Sequence, residues 1–109
     1  IKRYKIKAGL ALNPEVKVSA AKEAIKKADF VQLMTVHPGK YGAKFLPSVL
    51  RKIAQIKKIR KIPVEVDGGI NPDTGWLCRK AGANLFVVGS YLKNEEFKQR
   101  LESLKEALQ

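Results

Sequence analysis

The chain has 109 residues, a hydrophobic share of 45% and a net charge of +12. This length predicts a single domain, residues 1–109, and the balance of apolar and charged residues excludes a disordered chain. No apolar run approaches the roughly 18 residues that a membrane-spanning helix requires, so we expect no membrane partner.

The first half of the chain is predicted to alternate strand and helix. Residues 5–12 (KIKAGLAL) indicate a strand that an Asn-Pro pair ends, and residues 18–28 indicate a helix. Residues 30–36 (FVQLMTV) predict a second strand, followed by a glycine-bearing loop at residues 37–44. Apolar residues then recur at three- and four-residue steps over residues 46–61, which predicts an amphipathic helix.

The second half of the chain continues this alternation. Residues 64–67 form a short apolar run that ends in an acid and two glycines, as a buried strand would. Asn71 is predicted to cap the next helix and Gly82 to end it. Residues 85–88 predict a fourth strand, and we expect Asn94 to cap a last helix. Its apolar stripe consists of Phe97, Leu101, Leu104 and Leu108.

Four strand-then-helix units predict an α/β fold with a parallel sheet and right-handed crossovers. Such units form either a small open sheet or a (β/α)4 half of an eight-stranded barrel, and the strand order is not readable from the pattern. In both architectures the loops after the strands build the active site. Polar residues and glycines do collect at the predicted strand ends.

Asp67 is the most informative of these strand-end residues. An acid at the tip of a buried strand costs desolvation energy unless it has a partner or a chemical role; the alternative is a cap for the next helix. The pairs Gly68-Gly69 and Gly89-Ser90 follow consecutive strands. Exposed N–H groups at such turns bind anions, which makes both pairs candidates for a phosphate site, although glycines also serve as plain turn residues.

The basic residues permit nucleic acid or an anionic substrate as a partner. Most of them lie on predicted helices opposite apolar residues, which indicates solvated faces, and the chain has no aromatic interleaving of the kind that single-strand binders use. These features argue against nucleic acid as a partner. The single Cys78 cannot form an internal disulfide, which indicates a reducing, cytoplasmic environment and a small buried hydrophobe.

Four blocks resemble the ribulose-phosphate 3-epimerases in order and spacing: residues 7–14 (KAGLALNP), 33–39 (LMTVHPG), 65–70 (EVDGGI) and 88–91 (VGSY). The family fold is a TIM barrel. The blocks are similar to its strands five through eight, so the resemblance implies the C-terminal half of a ribulose-phosphate-binding barrel.

The resemblance also implies an activity, the interconversion of D-ribulose 5-phosphate and D-xylulose 5-phosphate. One acid removes the proton next to the ketone, a second returns one on the other face, and a divalent metal cation holds the enediolate. By resemblance, Asp67 is one acid/base and a metal ligand, and Met34 lies over the reacting carbons of the phosphorylated ketose. The phosphate cradle is then Gly68, Gly69, Gly89 and Ser90. The loop that closes on the phosphate contains Gly39, Lys40, Tyr41 and Gly42.

The sequence departs from the family pattern in its loop, where Tyr41 stands in place of a glycine. Lys40 either contacts phosphate or is a solvated loop lysine. The change leaves open an epimerase of a related ketose phosphate.

The family's second catalytic acid and its remaining metal ligands lie on early strands, and His37, the one histidine, does not match a ligand position. We therefore expect the chain to be inactive alone and to need an N-terminal half or self-association. A non-catalytic phosphosugar-binding module is the alternative. Exposed strand edges favour self-association. We expect the open, barrel-inward face of the sheet to carry Val31, Leu33, Val64, Val66 and Val87.

Overall fold

The computed structural model describes residues 7–37, 44–92 and 96–109. The strands are β1 (Gly9–Leu12), β2 (Phe30–Met34), β3 (Val64–Asp67) and β4 (Leu85–Val87). The helices are α1 (Lys22–Lys27), α2 (Val49–Ile59), α3 (Pro72–Ala81) and α4 (Phe97–Leu108). Two short 3-10 turns span Val18–Ala21 and Ser90–Leu92.

The four strands form one parallel sheet in the order β1-β2-β3-β4. Each strand therefore pairs with its neighbour in sequence, and one core cluster joins the sheet to all four helices. A doubly wound open sheet would reverse its strand order at a switch point, whereas the sequential order is that of a TIM barrel. The predicted α/β fold is confirmed, with the arrangement of half a barrel.

The helices cover the face of the sheet that was predicted to be open. Val31, Leu33, Val64 and Val66 have no exposed surface, because they pack against Ile25, Val49, Ile53 and Ile56 of the helices. The prediction that these four residues face the barrel interior is therefore wrong. Because side chains alternate along a strand, the other face carries the intervening residues. That open face consists of Gly9, Ala11, Phe30, Gln32, Met34, Glu65, Asp67, Leu85 and Val87.

The predicted ends of α3 are confirmed in detail. Asn71 accepts hydrogen bonds from the N–H groups of Asp73 and Thr74, each at 2.9 Å, and the Thr74 hydroxyl accepts one from the Asn71 N–H. Pro72 occupies the first turn, and Gly82 ends the helix at φ +121°. These signals act within a few residues of one another, so the sequence carries them in full.

Other helix predictions hold only in part. The helix predicted at residues 18–28 divides into a 3-10 turn and the short α1, and α2 begins three residues later than predicted, at Val49. Helix α4 begins at Phe97, while Asn94, its predicted cap, lies outside the described residues. Of the α4 stripe only Leu104 is buried, and Phe97 is 48% exposed. The described residues therefore cover the apolar stripe of α4 only in part.

Several basic residues predicted to be solvated instead bind backbone carbonyls. Lys52 donates to the carbonyls of Pro14 and Val16, and Arg60 donates to those of Lys26 and Ala28. These bonds fasten α2 to the chain on either side of α1. The interpretation of a purely solvated basic face is thus wrong for these positions.

A third basic residue, Lys57, joins α2 to the two strands beyond it. Lys57 donates to the Ile62 carbonyl at 2.7 Å and to the Asn84 side chain at 2.6 Å. The same Asn84 oxygen accepts from the Val64 N–H at 3.0 Å. Burial lowers the pKa of Lys57 below its ordinary value. The side chain thus serves as a structural tie at the start of β3 and β4.

Cys78 lies in the core with no exposed surface, as predicted for a small hydrophobe. Burial raises the pKa of its thiol to about 12, so the thiol stays protonated and is a poor nucleophile near neutral pH. None of the helices in the described ranges is long and apolar enough to cross a membrane.

Candidate functional site

Asp67 and Met34 lie side by side at the C-terminal edge of the sheet. They are register partners across β3 and β2, and Val87 of β4 is the partner of Asp67 on its other side. All three side chains point to the open face, since the alternate positions are buried under the helices. Asp67 is half-buried, and its carboxylate makes no hydrogen bond or ion pair with any described residue. The acid is therefore available to a ligand on the open face.

The turn after Asp67 is held at both of its carbonyls. The buried Thr35 hydroxyl donates to the Gly68 carbonyl, and the Thr74 hydroxyl donates to the Gly69 carbonyl at 2.7 Å. The Thr35 N–H also donates to the Asp67 carbonyl at 2.9 Å. Thr35 and Thr74 thus fix the orientation of the turn, and with it the direction in which its N–H groups point.

Thr35 was expected among the polar residues at the strand ends, but neither threonine was assigned a role in the site. Thr35 ends the apolar run of β2, and a hydroxyl in a fully buried position requires a hydrogen-bond partner. That requirement was a usable signal. The partner itself, a carbonyl 33 residues further along the chain, was not readable from the sequence.

The two glycines of the turn are required by its backbone. Gly68 has φ +126° and Gly69 has φ +65°, both in the region that L-residues rarely adopt. A Cβ atom on Gly68 would lie 2.6 Å from Cγ2 of Val36, and one on Gly69 would lie 3.0 Å from the Phe45 nitrogen. Both positions therefore exclude a side chain on two grounds, conformation and space.

Gly89 lies just beyond β4, the strand beside this turn, and Ser90 opens the following 3-10 turn. A Cβ atom on Gly89 would meet nothing within 4 Å among the described residues. The N–H groups of Gly68, Gly69 and Gly89 make no hydrogen bond with another part of the described chain. Adjacent strand ends thus present free N–H donors, the feature that anion-binding turns share.

The remaining predicted site residues, Gly39, Lys40, Tyr41 and Gly42, lie outside the described residues. The chain after them returns to the site, where the Leu46 N–H donates to the Thr35 carbonyl at 2.8 Å. Before the loop, the exposed His37 ring bonds the Glu15 carboxylate at 2.6 Å, and this bond lowers the pKa of Glu15. His37 is thus engaged with the loop after β1.

Within the described ranges, no group of three or more His, Cys, Asp or Glu side chains is placed to hold a metal ion. Catalytic metal sites in proteins usually use three protein ligands. Asp67 alone does not meet that requirement. The described residues therefore do not by themselves fit a divalent cation.

The arrangement can hold an anion at the ends of β3 and β4 and place a carboxylate one residue away from it. On the same edge, Met34 supplies an apolar neighbour to that carboxylate. This combination suits an anionic ligand that lies on the open face beside Asp67.

Comparison with solved structures supports the fold. The chain is similar to a thiamine phosphate pyrophosphorylase from Pyrococcus furiosus, with a TM-score of 0.56 and 23% sequence identity over 92% of this chain and 58% of that one. At this level of identity the likeness concerns the fold alone.

Sequence comparison gives the family. The chain is 44% identical to the ribulose-phosphate 3-epimerase of Bacillus subtilis over 96 residues, which are 83% of this chain and 44% of that protein. It is 37% identical to the enzyme of the same name from Buchnera aphidicola subsp. Acyrthosiphon pisum, over 100% of this chain and 50% of that protein. The chain thus spans about half the length of these relatives. The model of the ribulose-phosphate 3 epimerase family matches residues 1–93, so the chain belongs to that family.

Proposed function

We propose that this chain provides the phosphate cradle and one acid/base of a ribulose-phosphate 3-epimerase acting on D-ribulose 5-phosphate and D-xylulose 5-phosphate. The observation that carries the proposal is the placement of the unpaired Asp67 carboxylate beside the free N–H groups of Gly68 and Gly69. The phosphate is held there by Gly68, Gly69, Gly89 and Ser90. Such an enzyme works in the pentose phosphate pathway, and the unpaired, buried Cys78 suits the cytoplasm.

The chemistry assigned to Asp67 is a proton transfer at the carbon next to the ketone. Its carboxylate accepts that proton, the C–H bond electrons move into an enediolate, and an acid on the other face returns a proton to the same carbon. In the reverse direction Asp67 returns the proton. Met34 covers the reacting carbons and excludes water from the intermediate. We expect further substrate contacts from Gly39, Lys40, Tyr41 and Gly42, which lie outside the described residues, and we expect them to influence which pentulose phosphate is bound.

A divalent cation would stabilise the enediolate charge as a Lewis acid. Asp67 is the one residue predicted to bind it, and the described residues around Asp67 do not complete a site. We therefore derive no step through a metal from this chain. The second acid and further ligands belong to a complementary half-barrel, either an N-terminal half or another copy.

A second candidate is a phosphosugar-binding module without catalysis. It is favoured by the same turn, because free N–H donors follow both β3 and β4, whereas the described strand ends supply one unpaired acid. The two functions share the ligand and differ in turnover.

An epimerase assay separates the two candidates. Ribulose 5-phosphate and a divalent metal are supplied to the chain alone and to the chain mixed with the N-terminal half of a related barrel. Formation of xylulose 5-phosphate in the mixture only is the expected result. Binding of the phosphosugar without turnover in either sample would instead favour the binding module, and absence of both would contradict the proposal.

Gly89→Ala tests the cradle without disturbing the fold. The added methyl group would have no described atom within 4 Å, and Gly89 does not have a positive φ. The free energy of unfolding should therefore change by less than about 0.5 kcal/mol. The methyl group would, however, project toward the anion. We expect the dissociation constant for ribulose 5-phosphate, measured by calorimetry, to rise about tenfold, equivalent to about 1.4 kcal/mol. Unchanged affinity would remove Gly89 from the cradle.

A further inference from the structure

Two successive peptide units of the turn after β3 are held by their carbonyls from one residue, Thr35. Its N–H donates to the Asp67 carbonyl at 2.9 Å, and its hydroxyl donates to the Gly68 carbonyl. The Thr35 carbonyl accepts from the Leu46 N–H at 2.8 Å, so every polar group of Thr35 is engaged. Because Thr35 has no exposed surface, water cannot take the place of its hydroxyl.

Peptide geometry converts these carbonyl contacts into a direction for the N–H groups. A peptide unit is planar and trans, so its C=O and its N–H point in opposite directions. The Asp67 carbonyl shares a peptide with the Gly68 N–H, and the Gly68 carbonyl shares one with the Gly69 N–H. Both N–H groups therefore point away from β2, toward the side on which Gly89 follows β4. Neither has a hydrogen-bond partner in the described chain.

The peptide between Gly68 and Gly69 has little intrinsic preference for this orientation. Turning it over changes chiefly ψ of Gly68 and φ of Gly69, and glycine accepts positive and negative φ about equally. The reversed peptide would present the Gly68 carbonyl oxygen where the Gly69 N–H now points. An anion-binding turn requires N–H donors, so only one of the two orientations binds phosphate.

We propose that Thr35 is the positioning residue of this anion site, whose hydroxyl holds the Gly68–Gly69 peptide in the orientation that binds phosphate. This inference rests on the proposed phosphate cradle and adds to it a residue that does not touch the ligand. Thr74 does not replace Thr35, because it holds the next peptide, through the Gly69 carbonyl at 2.7 Å.

Removal of the Thr35 hydroxyl favours the reversed peptide. The Gly68 carbonyl would then face a buried position without a partner, and an unpaired buried carbonyl is costly. Turning the peptide over relieves that cost, because the carbonyl then faces the open side of the turn. The bond from the Thr35 N–H to the Asp67 carbonyl is a backbone bond that a substitution keeps. The effect should therefore fall on phosphate binding and leave Asp67 in place.

Calorimetric titration with inorganic phosphate tests this role of the hydroxyl. Thr35→Val replaces the hydroxyl by a methyl group of similar size. It should weaken phosphate binding about tenfold or more, as expected for the loss of one hydrogen bond to a charged ligand. Thr35→Ser keeps the hydroxyl and should bind phosphate as wild type does.

Val31→Ala is the matched control for lost stability. Val31 is fully buried in the same strand as the residues that lead to Thr35, and it faces the helices. Its truncation should destabilise the fold without changing the phosphate affinity of the folded chain. Circular dichroism shows whether each variant is folded under the conditions of the titration.

Two further measurements separate positioning from stability. In wild type, the amide proton resonances of Gly68 and Gly69 should move downfield as phosphate is added, and this requires no variant. In the mixture with an N-terminal half of a related barrel, Thr35→Val should raise KM for ribulose 5-phosphate about tenfold while kcat falls less. Asp67→Asn should show the opposite division.

The possible outcomes distinguish this inference from the proposed function. Equal phosphate affinity of wild type and Thr35→Val would overturn the positioning role alone and leave the cradle in place. The same weakening in Val31→Ala or Thr35→Ser would also overturn it, as would phosphate binding that leaves both glycine amides unshifted. A wild-type chain that binds no phosphate would remove the cradle and the positioning role together.

Discussion

Replacing Asp67 by Asn should lower kcat/KM of the reconstituted epimerase by about 10³-fold, within the range that one positioned general acid/base contributes. Asparagine keeps the size of the side chain and removes the oxygen that accepts the proton. The carboxylate makes no hydrogen bond or ion pair within the described chain, so the substitution breaks no internal contact. A coupled assay of ribulose 5-phosphate conversion, run in the mixture with an N-terminal half, measures kcat/KM for the variant and for wild type.

The matched control for this substitution is Asp73→Asn. Asp73 is exposed in the first turn of α3, only six positions along the chain, and lies outside the strand ends. Its replacement should leave kcat/KM within about twofold of wild type, as for most surface changes. The affinity of the Asp67→Asn chain for inorganic phosphate should not fall, because the cradle uses backbone groups and the substitution removes a negative charge beside it. Full activity of the Asp67 variant would remove the acid/base role.

Replacing Gly68 by Ala should lower the free energy of unfolding by about 3 kcal/mol. Positive φ costs a non-glycine residue roughly 1–3 kcal/mol, and overpacking adds a similar amount. Both apply here, since Gly68 has φ +126° and the new Cβ would lie 2.6 Å from Cγ2 of Val36. Urea denaturation followed by circular dichroism measures the change. A loss below about 1 kcal/mol would show that the turn can change its conformation.

A double-mutant cycle separates the two causes. Val36→Ala removes the methyl groups that the new Cβ would contact, and it leaves φ at position 68 as it is. Combined with Gly68→Ala it should therefore recover part of the loss, a coupling of about 1 kcal/mol. Gly89→Ala is the reference for an unstrained glycine. A coupling near zero would assign the whole loss to the backbone.

The parts of the fold that were predictable depend on signals within a few residues. Strand β3 has the predicted limits, and α3 has the predicted cap and end, because Asn71, Pro72 and Gly82 act on the turn in which they stand. The first helix was less predictable. Residues 18–21 tighten into a 3-10 turn, and α1 does not begin until Lys22.

The face of the sheet was predictable in principle and was assigned wrongly. Glu65 and Asp67 of β3 are two positions apart and mark one face of the sheet, and Gln32 of β2 lies on the same face. Val31 and Val64 mark the other face. Parallel strands read as continuous apolar runs, and this obscured the alternation. Polar side chains on a barrel-inward face were the signal, since the helix-covered face tolerates them least.

The sequence allowed us to predict which residues lie at the candidate site, but not the contacts that hold them there. Polar residues after consecutive strands had to meet at one edge, and Asp67 and Met34 do lie side by side there. The roles assigned to them remain predictions. The support from Thr35 and the carbonyl bonds of Lys52 and Arg60 depended on distant partners. No local pattern distinguishes such a lysine from a solvated one.

The sequential order of the sheet also determines how stability is distributed. Because each strand pairs with its neighbour in sequence, the fold resembles a repeat protein, in which stability is the sum of unit and nearest-neighbour terms. The inner strands β2 and β3 have two neighbours each, whereas β1 and β4 have one among the described strands. Opening should therefore begin at the outer units and proceed inward, and the amide protons of the inner strands should exchange last. The edge carrying Asp67 and Gly68 is thus built on the most persistent part of the molecule.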